Sequence, residues 1–392
     1  MDHYEYVIVG GGMAADSAAQ GIREVDKENK IAIIGNEKSA PYDRPPLTKG
    51  LWKGKPLESI WRNTSNLDID LHIGRTITTI DPINKHVTDN TGNVYTYKKL
   101  LLATGGTPKR LPIENEEIIY FRTVDDYYKL HELSEQGQHF VVIGAGFIGS
   151  EIAAALAMNG RSVTMIFPGP SIGSRVYPPD LSKFISHYYQ DKGITLIPRE
   201  KVESVTRSGS QQTVTTQQGK IFTADAVIAG VGITPNIDLA ASINIDINNG
   251  IIVDDFLQTN FNDIYAAGDV ANFYNLALDK RLRVEHEDNA NTMGRIAGMN
   301  MAGQSMPYQY QPYFYSDLFD LGYEAVGLLD SRMKIVADWE EPHQKGVIYY
   351  LDNGYVQGIL LWNTWEQVES ARVLIAQREK GLTAESLKGR IG

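Results

Sequence analysis

Tyr6-Val-Ile-Val-Gly-Gly-Gly-Met-Ala-Ala15 is the stretch on which the fold class turns. Tyr6 to Val9 is an unbroken apolar run, the pattern of a parallel strand covered on both faces. It runs into Gly10, Gly11 and Gly12 and then into alanine-rich sequence, Asp16 to Arg23, of helical composition. Strand, glycine turn and helix in that order are the context that gives a glycine fingerprint meaning. Gly10 permits the tight turn. Gly12 lets a pyrophosphate approach the backbone N–H groups of Met13 and Ala14 at the positive end of the helix. Ala15 stands where a third glycine is usual, and is still small enough for close helix–strand packing. One such motif is weak, because glycine turns also serve as plain connections.

A second copy makes it informative. His139-Phe-Val-Val-Ile-Gly-Ala-Gly-Phe-Ile-Gly-Ser-Glu151 repeats strand, Gly144-x-Gly146-x-x-Gly149 and helix, and a strand Ser162 to Phe167 follows. Each unit also ends in a strand and glycine turn: Lys99-Leu-Leu-Leu-Ala-Thr-Gly-Gly-Thr-Pro108 in the first, Ala226-Val-Ile-Ala-Gly-Val-Gly-Ile-Thr-Pro235 in the second. Lys30 to Gly35 reads as another buried strand, and the paired prolines of Pro41 to Lys49 demand an ordered, non-helical loop entering a short helix. Ile251–Val253 and Asn262–Ala271 return to strand signals, and a long helix is expected over roughly 289–301. The tail differs, with strands Glu324–Leu329, Lys334–Trp339, Val347–Leu351 and Gln357–Trp362 and then a helix over 364–380. The expected fold class is α/β, with two Rossmann-like dinucleotide-binding domains and a small C-terminal α+β domain. The expected domains are residues 1–112 and 243–309 for a discontinuous first domain, 113–242 for the second and 310–392 for the last.

Composition narrows the function classes. At 392 residues, 42% hydrophobic and 22% charged, the chain is of ordinary globular type with room for two or three domains. A net charge of −11 disfavours broad binding to nucleic acid or anionic membrane, while leaving room for a local basic patch facing an acidic protein. The chain has no cysteine, which excludes disulfides, thiolate metal sites and a redox dithiol; no metal site is expected. No apolar run reaches the length of a membrane span. The first strand begins almost at once, after acidic Asp2 and Glu5 and with no basic-then-apolar leader, so a cytoplasmic location is expected.

With these motifs in order, the chain resembles the two-dinucleotide flavoproteins related to glutathione reductase, and within them the ferredoxin-reductase and apoptosis-inducing-factor branch. The resemblance covers essentially the whole chain. It rests on Tyr42-x-Arg44-Pro-Pro-Leu-Thr-Lys49, Ala103-Thr-Gly-Gly-Thr-Pro108, the second fingerprint through Glu151, Gly232-x-x-Pro-Asn236 and Tyr265-Ala-Ala-Gly-Asp269. Arg283-Val-Glu-His286, Tyr315-Ser-Asp-Leu318, Gly322-Tyr-Glu-Ala325 and Leu361-Trp-Asn363 resemble apoptosis-inducing factor in particular. The resemblance implies FAD in the first unit, NAD(P)H in the second with NADH preferred, and an interface domain last.

Residue by residue, the resemblance places FAD at Gly10, Gly12, Met13, Ala14 and Ala15, with its ribose at Asn36 or Glu37. Glu37 takes the larger share because a carboxylate binds a hydroxyl more strongly than an amide; a plain loop charge is the other reading. Ile77, Ala103, Thr104, Gly105 and Glu287 are further implied contacts. Arg44 is implied near the phosphates, and Lys109 as a basic contact for which Arg110 could substitute, unless both are surface charges. Asp269, at a strand's carboxyl end, is implied to bond the ribityl chain. Lys49, Glu151 and His286 are implied at the reacting centre, where a buried lysine needs an acidic partner, so a Lys49–Glu151 pair is expected. Gly144, Gly146, Phe147, Ile148 and Gly232 would border the nicotinamide nucleotide, Phe147 facing the site instead of the core. Glu285 would hold the carboxamide, and Tyr315, Glu324 and Asn363 would come from the last domain, Tyr315 in place of a tryptophan. An NAD-preferring member would carry an acid near Gly169. This chain has Phe167-Pro-Gly-Pro170, then Arg175, which could bind the phosphates or a 2′-phosphate.

The expected reaction is hydride transfer from NAD(P)H to FAD, the protein supplying proximity and orientation. Without cysteine, electrons must leave to a ferredoxin-type acidic iron–sulfur protein, a quinone or, slowly, oxygen. The competing expectation is a redox-controlled interaction protein like apoptosis-inducing factor, in which reduction by NADH forms a long-lived charge-transfer complex and shifts the oligomer state. A homodimer is compatible with the sequence, which leaves the oligomeric state open.

Overall fold

The computed structural model describes residues 2–113 and 117–391. The chain forms two compact units, each assembled from three segments. The first comprises Met1–Asp43, Glu58–Thr107 and Thr234–Phe314, the second Arg44–Leu57, Pro108–Ile233 and Tyr315–Gly392.

The core of the first unit is a five-stranded parallel sheet in the order Ile264–Ala266, Lys99–Leu102, Tyr6–Val9, Ile31–Ile34, Asp70–His72. Tyr6–Val9 and Ile31–Ile34 are buried along their whole length, as apolar runs with both faces covered must be. Each fully buried Ile or Val there contributes about 1.5–3 kcal/mol of hydrophobic stabilisation. The helix Met13–Val25 opens directly after the first fingerprint, as expected, with Gly12 as its N-cap. It packs on the helix Glu287–Met301 through small residues. A Cβ on Gly294 would lie 2.4 Å from the Ala14 carbonyl oxygen, and one on Gly298 2.0 Å from that of Ala18. The backbones touch because no side chain stands between them. The unit also carries a four-stranded sheet, Asp2–His3, Val94–Thr96, His86–Asp89 and Ile77–Asp81, and a three-stranded one, Ile251–Ile252, Ala271–Asn275 and Lys280–Leu282.

The second unit repeats the parallel five-stranded design in the order Ile119–Tyr120, Ala226–Ala229, His139–Ile143, Ser162–Phe167, Thr195–Pro198. The helices Val124–Gln136, Phe147–Met158 and Pro179–Asp191 belong to it. Its last segment is a five-stranded antiparallel sheet in the order Tyr313–Leu318, Leu321–Gly327, Tyr355–Trp362, Lys345–Asp352, Lys334–Glu341. Four of these strands were expected, three of them in shorter form and Leu321–Gly327 displaced, as Glu324–Leu329. Tyr313–Leu318 was not, because its polarity is inverted: Ser316 is buried while the aromatic Tyr315 is exposed.

The last long helix is also shorter than its sequence predicts, Val368–Ala376 against 364–380. Asn363 and Glu366 adopt left-handed backbone, and Thr364 spends its hydroxyl on the Gly346 and Trp362 carbonyls, so the chain is still turning there. Arg378, also left-handed, closes the other end. The helix expected over 289–301 starts two residues earlier, at Glu287, with His286 as its N-cap. The proline loop folds as two turns of 3₁₀-helix, Pro45–Thr48 and Gly50–Lys53, separated by Lys49. Prolines at the first helical positions lack an N–H that would be unbonded there anyway, so they stiffen the loop without losing a helical hydrogen bond.

Candidate functional site

In the first unit the strand Tyr6–Val9 ends at Gly10, whose φ of +127° only glycine adopts freely and whose Cβ would fall 2.1 Å from the Ala103 carbonyl oxygen. Gly12 then caps the helix without any side-chain hydrogen bond, which leaves the helix end to bind an anion. Met13, Ala14 and Ala15 are buried, and Gly268, at φ +79°, brings its backbone against the Ala14 methyl. Beside them the turn Ala103–Gly105 is clamped by Asn236. Its Nδ2 donates to the Thr104 carbonyl at 2.9 Å, its backbone N–H to Gly105 at 3.0 Å, and its Oδ1 accepts from the Thr107 hydroxyl at 2.8 Å.

At the end of the next strand Asn36 is exposed, while Glu37 is half-buried and accepts a 2.5 Å bond from the buried Tyr42 hydroxyl. Asp269 lies in a short 3₁₀ turn, and Arg283 donates to its carbonyl at 2.8 Å while pairing with Glu285 at 2.7 Å. Glu285 is thus an ion-pair partner of Arg283, a role the sequence does not announce. His286 stacks on Phe314 with ring centroids 4.2 Å apart and planes at 12°. Although part of its surface is exposed, the protein around it lowers its pKa to about 4 by desolvation, which the Asp269 charge partly opposes, so the ring is neutral at pH 7. Glu287 is the first helical residue after it, and Ile77 lies in the hydrophobic core of this unit.

One element of this unit had no sequence signal. Asp16, in the first turns of the fingerprint helix, is fully buried. It accepts from Arg62 at 2.7 Å, Gln20 at 2.7 Å and the Thr64 hydroxyl at 2.6 Å, and Arg62 reaches on to Asp43 at 2.6 Å.

In the second unit Gly144, at φ +105°, would place a Cβ 2.4 Å from the Gly230 carbonyl oxygen, so it forms the same tight turn. Gly146 differs, since a Cβ there meets nothing within 4 Å, and no side chain caps the helix that follows. Phe147 and Ile148, at 37% and 40% exposure, are outside the core. Gly232, at φ +92°, accepts from the Lys109 N–H at 2.9 Å; Lys109 is exposed, and Arg110 lies 5.0 Å over the Tyr120 ring.

Glu151 is the electrostatic centre of this unit. It is buried and accepts three hydrogen bonds, from Lys49 Nζ at 2.7 Å, the Thr48 hydroxyl at 2.6 Å and the Ser316 hydroxyl at 2.5 Å. The expected Lys49–Glu151 pair is therefore formed, and two further donors complete the carboxylate. Lys49 also lies 5.3 Å over the half-open ring of Tyr315. Burial pushes the hydroxyls of Tyr177, Tyr189 and Tyr323 up, and the Glu151 charge adds to the rise. Arg44 donates to the Arg122 carbonyl at 3.0 Å. Burial raises the Glu324 pKa. Asn363 spends its amide on the backbone, accepting from Gly322 at 2.8 Å and donating to Gln344 at 2.6 Å. Arg175 is exposed, and its carbonyl accepts from Ser331. Among the described residues no helix is long and apolar enough to cross a membrane.

Two turns that only glycine can make, two helix ends without a capping side chain and an open cradle at Gly146 fit two dinucleotides. Comparison with known proteins agrees. Residues 4–294 match the family model described as pyridine nucleotide-disulphide oxidoreductase, and residues 297–344 and 337–377 match the model for the C-terminal part of apoptosis-inducing factor, mitochondrion-associated. Apoptosis-inducing factor 1, mitochondrial, of Dictyostelium discoideum is 35% identical over 96% of this chain and 79% of its own length. The putidaredoxin reductase CamA of Pseudomonas putida is 29% identical over 95% of this chain and 92% of its own. Among solved structures, a ferredoxin reductase for the CYP199A2 system from Rhodopseudomonas palustris superposes with a TM-score of 0.89 at 28% identity, covering 97% of this chain and 96% of that one.

Proposed function

The chain belongs to the pyridine nucleotide-disulphide oxidoreductase family, and from that premise we propose that it works as an FAD-dependent NAD(P)H oxidoreductase delivering electrons to a ferredoxin-type protein. The observation that carries this reading is one cradle built twice in a chain without cysteine, so two nucleotides can be held and no thiol can take the electrons. Bound FAD supplies a group that accepts a hydride as an electron pair and passes electrons on singly.

The protein's part is to bind and orient. Gly10, Gly12 and the helix from Met13 would hold the FAD pyrophosphate, Glu37 the ribose and Asp269 the ribityl hydroxyls. Gly144, Gly146 and the helix from Phe147 would hold the nicotinamide nucleotide. Lys49, its ammonium fixed by Glu151, is a positioned cation suited to an electron-rich group. His286, neutral at pH 7, donates no charge and need not, since hydride transfer moves no proton through a side chain. The relatives named as putidaredoxin and ferredoxin reductases support the choice of acceptor.

Anaerobic mixing of the purified holoprotein with NADH or NADPH, followed at the flavin absorbance, tests the reading. Reduction within seconds, then reoxidation by a [2Fe–2S] ferredoxin faster than by oxygen or quinone, is expected. A flavin that neither nucleotide reduces would remove it. The C-terminal match to apoptosis-inducing factor supports one other reading, a redox-controlled interaction protein. A long-lived reduced complex that no acceptor discharges quickly, with an altered oligomer state, would favour that one.

A further inference from the structure

The strand Ser162–Phe167 is the second of the repeated strand–helix unit and ends at Phe167-Pro-Gly-Pro170. In a dinucleotide site the adenosine ribose lies at the carboxyl end of this strand. A carboxylate there binds both hydroxyls and repels a 2′-phosphate, whereas an arginine nearby accommodates one. Gly169 supplies no carboxylate. A Cβ on it would stand 2.8 Å from the Ser174 hydroxyl, so a neutral donor occupies the direction an acidic side chain would take.

Two arginines are anchored by their backbones beside the same point. The Arg199 N–H donates to the Gly169 carbonyl at 2.9 Å, which fixes the Arg199 backbone beside it, and Arg199 sits in a left-handed turn at φ +55° just after the strand Thr195–Pro198. Arg175 follows Ser174 directly. Ser331 ties both to its own loop, donating its hydroxyl to the Ser174 carbonyl at 2.8 Å and its N–H to that of Arg175 at 3.0 Å. Both arginines are exposed, and among the described residues neither guanidinium, nor the Ser174 hydroxyl, has a hydrogen-bond or ion-pair partner. The acids nearest them in the chain have other partners: Glu200, beside Arg199, is buried and faces Lys220 at 3.5 Å, Asp180 lies 3.2 Å from His343, and Asp330, beside Ser331, pairs with Arg332 at 2.5 Å.

Two unpaired guanidinium groups, a free hydroxyl and no competing carboxylate are the chemistry of phosphomonoester recognition, in which charge-assisted and bidentate hydrogen bonds dominate. We infer that the nucleotide site of the second unit selects a 2′-phosphorylated adenosine, hence NADPH over NADH, with Ser174, Arg175 and Arg199 as the specificity-determining residues. This reverses the NADH preference expected from resemblance, and it rests on the reading of that unit as the nicotinamide-nucleotide site.

The test uses 2′,5′-ADP and 5′-AMP as probes, titrated calorimetrically into the holoprotein. The expected result is 2′,5′-ADP binding about 10- to 100-fold more tightly, the gain of one or two charge-assisted hydrogen bonds. Arg199→Gln and Arg175→Gln should each cut that ratio about tenfold, whereas Arg207→Gln, an exposed arginine paired with Glu117, should leave it unchanged. Gly169→Glu should bring the ratio to one or below. Equal affinity for the two probes, no binding of either, or arginine variants that weaken both probes alike would each overturn the inference. A flavin reduced by NADH and not by NADPH would overturn it too while leaving the proposed function standing; a flavin reduced by neither would strike the function itself.

Discussion

The two fingerprint helices begin alike and are finished differently. In the first unit, Met13 and Ala14 are 6% and 8% exposed, the helix is pressed backbone to backbone on a second helix, and the acid of its early turns, Asp16, is neutralised by Arg62. In the second, the equivalent Phe147 and Ile148 are open, Gly146 faces free space, and the early acid Glu151 is neutralised by Lys49. A helix start covered by protein suits a group that stays. An open one suits a nucleotide that must enter and leave at every turnover. One local motif therefore serves two kinds of ligand, and the residues around it make the distinction.

Breaking the neutralising pairs should reveal the deepest difference. Arg62→Leu leaves Asp16 charged and buried, and a loss of about 3–5 kcal/mol is expected, readable by denaturant unfolding and partly restored by adding Asp16→Asn. Lys49→Met should cost less, about 1.5–3 kcal/mol, because Thr48 and Ser316 still donate to Glu151. If the two variants lost equal stability, the contrast between the units would be lost with it. Glycines sharpen the same contrast: Gly298→Ala should lower stability by about 1–3 kcal/mol through collision with the Ala18 carbonyl, while Gly146→Ala should change it by less than about 1 kcal/mol. Differential scanning of the two proteins side by side decides the point.

A modest effect is a pH dependence that arises in the first unit. His286 in the folded chain has a pKa lowered from 6.5 to about 4, so between those values the unfolded chain binds the extra proton. Its contribution to stability is complete above about pH 6.5, declines as the pH falls and is gone below about 4. The contribution is on the order of 1–2 kcal/mol once the partial exposure of the ring is counted. Between pH 7 and 4.5 the melting temperature of the wild type should therefore drop more steeply than that of His286→Gln. Parallel curves would show that the ring is solvated after all.

The legible parts of the molecule are those written over short distances along the chain. The parallel strands, both glycine turns and most of the C-terminal sheet could be read directly, because an apolar run and the glycine after it act on their immediate neighbours. Tyr313–Leu318 is not legible, because it buries Ser316 and exposes Tyr315, the reverse of an apolar-in, polar-out strand. The last helix was overdrawn because left-handed residues such as Asn363 and Glu366 have no compositional mark. The Lys49–Glu151 pair was expected from resemblance and from the need of a buried cation for an anion, but Thr48 and Ser316 were not, and nothing in the polarity of a serine tells that it will face a buried carboxylate. Asn236 stood inside a recognised motif, yet its hold on the Thr104 turn, 132 residues away, was invisible.

By itself the sequence determined that two nucleotide cradles would form and that no thiol chemistry would follow from them, since strand, glycine turn and helix are local properties and the absence of cysteine is absolute. Only the tertiary structure decided which cradle is closed and which open, and what neutralises each buried acid. Those outcomes depend on partners brought from far along the chain, Arg62 to Asp16 across 46 residues and Ser316 to Glu151 across 165, and a buried charge accepts whichever donors the packing delivers.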